Sequence, residues 1–276
     1  MHRIIIIFIL LAWCPVFAQE TGLRQLADSV QKGSSDSVRF AANRKFKEGI
    51  SRYLSSHYEP DDKLPDSVST VSMLLAEDKT FRIITWIVPS LDRSYFTYSG
   101  FLQRFPDKKN GGYLSELRDV SDTLKNPQSV KLNGPDWYGA LYYEIIRVKK
   151  SGNYYYTLVG WKGNSRLTTK KVLDVVSFTK NKFRFGYPLF KAGKAYQQRM
   201  VYEYTAMASM SLRYESRKNM IVMDHLSVPS NVVATEGNIA QFLGPDGTYD
   251  AFEFRKGKWN LLRDIEIGTT WEPKKR

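Results

Sequence analysis

The stretch Trp137-Tyr-Gly-Ala-Leu-Tyr-Tyr-Glu-Ile-Ile-Arg-Val-Lys-Lys-Ser-Gly-Asn-Tyr-Tyr-Tyr-Thr-Leu-Val-Gly-Trp161 holds two runs of aromatic and β-branched residues around Lys150-Ser-Gly152-Asn153. Such runs favour strands, and the glycine supplies the positive φ of a tight turn. Strands joined this closely are antiparallel. Ala140, Tyr142 and Ile146 share one face of the first strand; Leu141, Tyr143 and Ile145 share the other. In the second strand Tyr154, Tyr156 and Leu158 alternate with Tyr155, Val159 and Trp161. Strands apolar on both faces are covered on both faces, whereas a plain sandwich leaves one face of each sheet wet. The pattern predicts propeller-like stacked sheets or a sandwich covered by a helix. Phe81-Arg-Ile-Ile-Thr-Trp86 and Tyr156-Thr-Leu-Val-Gly-Trp161 echo each other, but they establish no repeat period.

Working outward, the same texture fills residues 67–276. Candidate strands lie at Val68–Ala76, Thr80–Val88, Ser94–Leu102, Trp137–Lys149, Asn153–Trp161, Thr168–Phe178, Lys182–Phe190, Arg199–Tyr214, Met220–Ser227, Thr248–Phe254 and Trp259–Ile265. This is a mainly β chain, an antiparallel meander of about eleven strands. Lys162-Gly163-Asn164 and Lys256-Gly257-Lys258 read as further hairpin turns, with Asn181 able to serve similarly. No helical pattern separates the strands, which excludes a βαβ plan. Residues 103–136 form the longest connection, shortened by a strand near Tyr113–Leu117. Before the β domain, residues 19–66 are helical. Val38, Ala41, Ala42, Phe46, Ile50, Tyr53 and Leu54 follow the helical period over Ser37–Ser56, with Asp36 as the expected cap. This amphipathic helix should dock on its own β domain. Glu59-Pro-Asp-Asp-Lys-Leu-Pro65 ends it.

Residues 1–18 read as a secretory signal peptide. Arg3 provides the basic start, Ile4–Trp13 the apolar run, and Val16 and Ala18 the small residues before a cut at Gln19. Ten residues rise about 15 Å, half a bilayer core, so the segment is a cleavable leader rather than an anchor. Lipidation at Cys14 is disfavoured by Trp13, since that signal wants a small residue there. No run elsewhere is long enough to be a transmembrane segment. The expected location is the periplasm or cell surface of a Gram-negative bacterium. Hydrophobic residues make up 42% of the 276, which excludes a disordered chain. Cys14 is the one cysteine, so no internal disulfide forms. The net charge of +13 invites an anionic partner. The basic residues cluster in Arg147-Val-Lys149-Lys150, Lys170-Lys171, Lys180–Arg184 and Lys274-Lys275-Arg276. Edge-strand protection accounts for such runs more simply than a binding site does. Nucleic acid is not expected for an exported chain lacking a recognisable nucleic-acid module; polyanionic envelope material stays open.

The search for catalytic groups is largely negative. His57 ends the helix, and His225 alternates within a strand, where its neighbour Asp224 points to the opposite face. No Gly-x-Ser-x-Gly elbow and no zinc spacing occur. Gly193-Lys194 resembles the end of a phosphate loop, but Pro188 and Ala195 stand where that motif needs Gly and a hydroxyl. No cofactor and no metal is expected. The ligand-binding candidates are four. Trp137 and Trp161 lie at strand ends, where an exposed ring stacks on a sugar or a partner side chain, although burial is the commoner fate of a tryptophan. Asp246 and Asp250 lie in Gly244-Pro-Asp-Gly-Thr-Tyr-Asp-Ala-Phe-Glu253, the most distinctive acidic stretch. That stretch is more simply a Pro-Asp-Gly turn opening the last hairpin.

Trp137-Tyr-Gly-Ala-Leu-Tyr-Tyr with Tyr154-Tyr-Tyr-Thr-Leu-Val-Gly-Trp-Lys-Gly-Asn164, and Gly244-Pro-Asp-Gly-Thr-Tyr-Asp-Ala-Phe-Glu-Phe with Lys256-Gly-Lys-Trp259, resemble a family of exported Bacteroidota proteins of no known activity. The resemblance spans roughly residues 68–267 and implies an envelope location. The expected function is non-catalytic binding of an envelope protein or glycan. The alternative is a carboxylate-dependent hydrolase of envelope glycans, with Asp246, Asp250 and Glu253 as its first candidates.

Overall fold

The computed structural model describes residues 14–65, 68–230 and 238–266. The leader's apolar run, the 66/67 boundary, Trp271 and the basic run 274–276 lie outside them. The chain opens with α1 (Cys14–Lys32) and α2 (Asp36–Ser56). Four strands follow: β1 (Ser72–Leu75), β2 (Phe81–Pro89), β3 (Phe96–Arg104) and β4 (Tyr113–Asp119). A connection with two 3-10 turns leads to the short β5 (Leu132–Asn133) and β6 (Asp136–Trp137). Then come β7 (Leu141–Lys150), β8 (Asn153–Gly163), β9 (Thr168–Thr179), β10 (Lys182–Phe185), β11 (Phe190–Ala192), β12 (Ala195–Gln197) and β13 (Met200–Thr205). The last four are β14 (Leu212–Glu215), β15 (Met220–Ser227), β16 (Gly244–Arg255) and β17 (Lys258–Leu262).

Among the described residues the strands form three sheets. The first is ordered β1-β2-β3-β4-β6, the second β5-β10-β9-β8-β7 with β13 also on β9, and the third β12-β11-β17-β16-β15-β14. All pairings are antiparallel except β4 with β6 and β11 with β17. The sheets stack. Leu23, Val30, Phe46, Ile50 and Leu54 of the helices cover Ile84, Trp86, Val88 and Phe101 on the outer face of the first sheet. Phe81, Ile83 and Leu102 on its inner face meet Tyr156, Leu158, Val172 and Val176 of the second. Tyr155, Val159, Leu173 and Val175, from the other face of the second sheet, meet Ile221, Met223, Phe252 and Trp259 of the third. The two-sided apolar pattern of β8 thus has a direct cause: its sheet lies between two others, and the helices cover the outermost. Fully burying each of these large side chains contributes about 1.5–3 kcal/mol.

Several local expectations differ in instructive ways. Tyr142 and Ile146 face opposite layers, because the β7–β8 register shifts between Tyr142 and Glu144. An extra residue at a bulge inverts the alternation beyond it. Ser35, not Asp36, caps α2, its hydroxyl accepting from Val38 N; Asp36 instead accepts from Leu91 N, 2.6 Å away. Gly163 is no turn residue. β8 runs through it, and an added Cβ would meet the Phe96 ring at 2.8 Å. Gly244–Gly247 belongs to β16 rather than to a turn. At the β9–β10 tip the left-handed residue is Lys180, not Asn181.

Candidate functional site

The β7–β8 turn places Ser151 and Gly152 at φ of 48° and 82°, the two-residue geometry whose twist matches its strands. The antiparallel β8–β9 register, with Tyr156 opposite Val176, runs Asn153–Tyr155 alongside Ser177–Thr179. The β7–β8 and β9–β10 tips therefore sit side by side. Between them and the connection before β5 lies a groove of about 400 Å³, lined by Tyr154, Tyr155, Tyr187, Lys131, Lys180 and Arg184 among others, with no carboxylate among the described residues of its wall. Two of the basic runs, Arg147–Lys150 and Lys180–Arg184, converge here although thirty residues separate them.

Rings and cations interleave at this end. Tyr154 is 46% exposed, with Arg147 Cζ 5.0 Å and Lys149 Nζ 5.6 Å from its ring centroid. Tyr155 packs on Tyr187 at 4.2 Å, and Lys150 Nζ lies 5.1 Å from the Tyr187 ring. Burial, then the hydrogen bond to Tyr187, pushes the Tyr155 phenol up to about 12, so it stays a neutral hydrogen-bond donor. Arg147 is paired with Glu77 and Asp78, each at 3.4 Å. Lys131, Lys149, Lys150, Lys180 and Arg184 form no ion pair among the described residues. Exposed cations that have no carboxylate partner attract anions, and the exposed Tyr154 ring adds an aromatic surface beside them. The other internal basic run does not join in. Lys170 is paired with Glu203 at 3.3 Å, and Lys171 lies over Tyr143.

The chain matches no protein-family model, no curated protein and no solved structure. Its own geometry is the ground for any functional reading.

The four candidates from sequence lie elsewhere. Trp137 is fully buried, with Tyr142 and Phe185 beside it, so its ring is not available to stack on a sugar. Trp161 is half-buried, edge-on to Phe96 at 5.9 Å. Asp246 is exposed, and its Oδ1 accepts from Thr248 N and Oγ1 at 3.0 and 2.8 Å. Asp250 is 6% exposed; its Oδ2 lies 3.0 Å from His225 Nδ1 and 3.3 Å from Arg263 Nη1, and its Oδ1 accepts from Asp264 N. Asp224, as expected, does not reach its neighbour His225; it accepts from Ser211 N at 2.7 Å. His57 stacks on Tyr53 at 3.8 Å at the end of α2. Among the described residues no group of three or more His, Cys, Asp or Glu is arranged to hold a metal ion, and no helix is long and apolar enough to cross a membrane.

Two buried polar sites had no signal in the sequence. Arg199 and Asp174 form a fully buried pair, Nε to Oδ2 3.1 Å, and Arg199 Nη1 also donates to Val130 O. Lys162, 6% exposed, donates to Gly139 O at 2.9 Å and Ser121 Oγ at 3.0 Å, with Asp119 Oδ2 at 3.7 Å. Its amine lies 4.1 Å from the Tyr98 ring centroid. Burial pushes it down to about 8, against the charges of Asp119 and Asp122. Both sites tie the 119–139 connection to the second sheet, which is a structural role.

Proposed function

We propose that this is an envelope-associated, non-catalytic binding protein whose ligand is an anionic glycan held in the groove at the hairpin tips. The observation that carries the reading is the wall of that groove: three tyrosines with Lys131, Lys180 and Arg184, and no acidic side chain among the described residues. Cations suit carboxylate, sulfate or phosphate groups, with the Arg184 fork matched to a planar carboxylate. The exposed Tyr154 ring suits the apolar side of a sugar ring, and its hydroxyl can reach the sugar's oxygens. Edge protection explains the basic run on β7, the last strand of its sheet. It does not explain Arg184, which pairs with Asn133 of β5 on one side and Ser177 of β9 on the other.

The hydrolase alternative has less support. Asp250 is 6% exposed, and its oxygens are held by His225, Arg263 and a backbone amide, so it presents little carboxylate to a substrate.

Calorimetric titration with polygalacturonate, neutral dextran and single-stranded DNA tests the reading. Binding of polygalacturonate, weakened by salt and by Lys180→Glu with Arg184→Glu, is the expected result. Each lost exposed contact is worth about 0.2–1 kcal/mol and each reversal adds repulsion, so the double variant should bind roughly 10–30-fold more weakly. Equal binding of dextran, or tighter binding of the DNA, would overturn it.

A further inference from the structure

We propose that the groove is one end of a longer track crossing two stacked sheets, and that its ligand is an extended acidic oligosaccharide rather than one charged sugar. This rests on the groove being a glycan site. The β16–β17 turn of the third sheet leans on the β7–β8 turn of the second. At Gly257, whose φ is 72°, an added Cβ would stand 3.0 Å from Lys150 Cγ. Lys150 thus borders both tips while its amine faces Tyr187 in the groove. On the far side of the same turn, Lys258 Nζ donates to Tyr196 Oη at 2.9 Å and lies 5.4 Å from that ring's centroid. Tyr196 is 46% exposed on β12. Lys191 of β11 lies opposite Tyr196 in the β11–β12 register, and the Tyr196 phenol is held below the ordinary value by the Lys258 hydrogen bond, against burial, with the charges of Lys258, Lys191 and Lys150 adding to it.

A second ring-and-cation platform therefore follows the first. None of Lys150, Lys191 and Lys258 forms an ion pair among the described residues. The exposed rings Tyr154 of β8 and Tyr196 of β12 belong to different sheets, and stacked sheets lie about 10 Å apart, so a ligand that reaches both rings is longer than one sugar. A polymer that reaches both gains the second contact at high effective concentration. The concave groove at one end favours a chain over a flat lipid surface, which would touch only the protruding tips.

The test is a ladder of oligogalacturonides of increasing length, titrated into the full chain by calorimetry. Affinity should climb with length and then level off. Tyr196→Ala with Lys258→Glu should weaken the long ligands about tenfold and leave the short ones unchanged. Lys180→Glu with Arg184→Glu should weaken both. These side chains are surface groups, and unchanged melting temperatures would certify the folds. Length-independent affinity, or full-strength binding of long ligands by the Tyr196/Lys258 variant, refutes the track while leaving the groove. Failure of every oligomer to bind removes the groove reading and the track with it. Tighter binding to phosphatidylglycerol vesicles than to the longest oligomer, lost in the same variants, overturns the glycan in favour of a lipid surface.

Discussion

Replacing Lys162 by Met should change how stability depends on pH, and the direction follows from the burial of the amine. In the folded chain Lys162 titrates near 8, against 10.5 in the unfolded chain. Between those values the unfolded chain binds the extra proton, so stability rises with pH. The group's contribution is present in full above the unfolded value and lost as pH falls through 8. A difference of about 2.5 pH units corresponds to about 3 kcal/mol. Roughly 2 kcal/mol of that should be recovered between pH 7 and pH 9.5. Met keeps the length and apolar bulk of the stem but cannot titrate. It also leaves Gly139 O and Ser121 Oγ without their donor, a loss that does not vary with pH. Urea unfolding of both proteins across pH 7–9.5 isolates the effect, because every other titrating group cancels in the difference. The wild type should gain about 2 kcal/mol on the Met variant over that range. A difference that stays flat would show that Asp119, 3.7 Å away, keeps the amine charged, and the reasoning from burial would fail.

Other outcomes follow from the same contacts. Arg199→Met strands the Asp174 carboxylate in a fully buried position and should cost about 3–5 kcal/mol; adding Asp174→Leu should restore much of it, read by denaturant midpoints. Ser35→Ala removes the α2 cap and should cost about 1 kcal/mol, whereas Asp36→Ala should leave the first turn of α2 capped, as read by amide hydrogen exchange there. Trp137→Ala, at a site with no exposure, should destabilise by about 3–5 kcal/mol. Tyr154→Ala, at a half-exposed ring, should leave the melting temperature within a degree or two and reduce polygalacturonate affinity instead.

Much of the body was legible in the chain because it depends on local spacing. The helix over Asp36–Ser56 follows from a period of 3.6, and β8 and β9 follow from dense β-branched and aromatic runs. The Ser151–Gly152 and Lys256–Gly257 turns follow from a glycine that takes positive φ without strain. Even the layering was implied, since Tyr155 and Tyr156 on opposite faces of one strand cannot both be buried unless something lies on each side. The misreadings arose where distant contacts override local rules. Gly163 looked like a turn and proved to be a hole for Phe96. Trp137, a strand-end candidate for stacking on a ligand, proved to be fully buried, with the ring of Phe185, nearly fifty positions away, beside it.

The candidate site was legible only as ingredients. Composition and spacing by themselves determined a basic, aromatic, two-sided β chain with a helix in front, because strand, turn and helix preferences act over a few residues. They also marked Arg147–Lys150 and Lys180–Arg184 as basic runs without saying whether the two meet. Only the pairing register of β8 with β9, and the stacking of the β16–β17 turn against Lys150, brought those runs together beside Tyr154, Tyr187 and Tyr196. Register is set by which apolar faces bury against which layer. That is a property of the whole packed chain, and no stretch of sequence carries it alone.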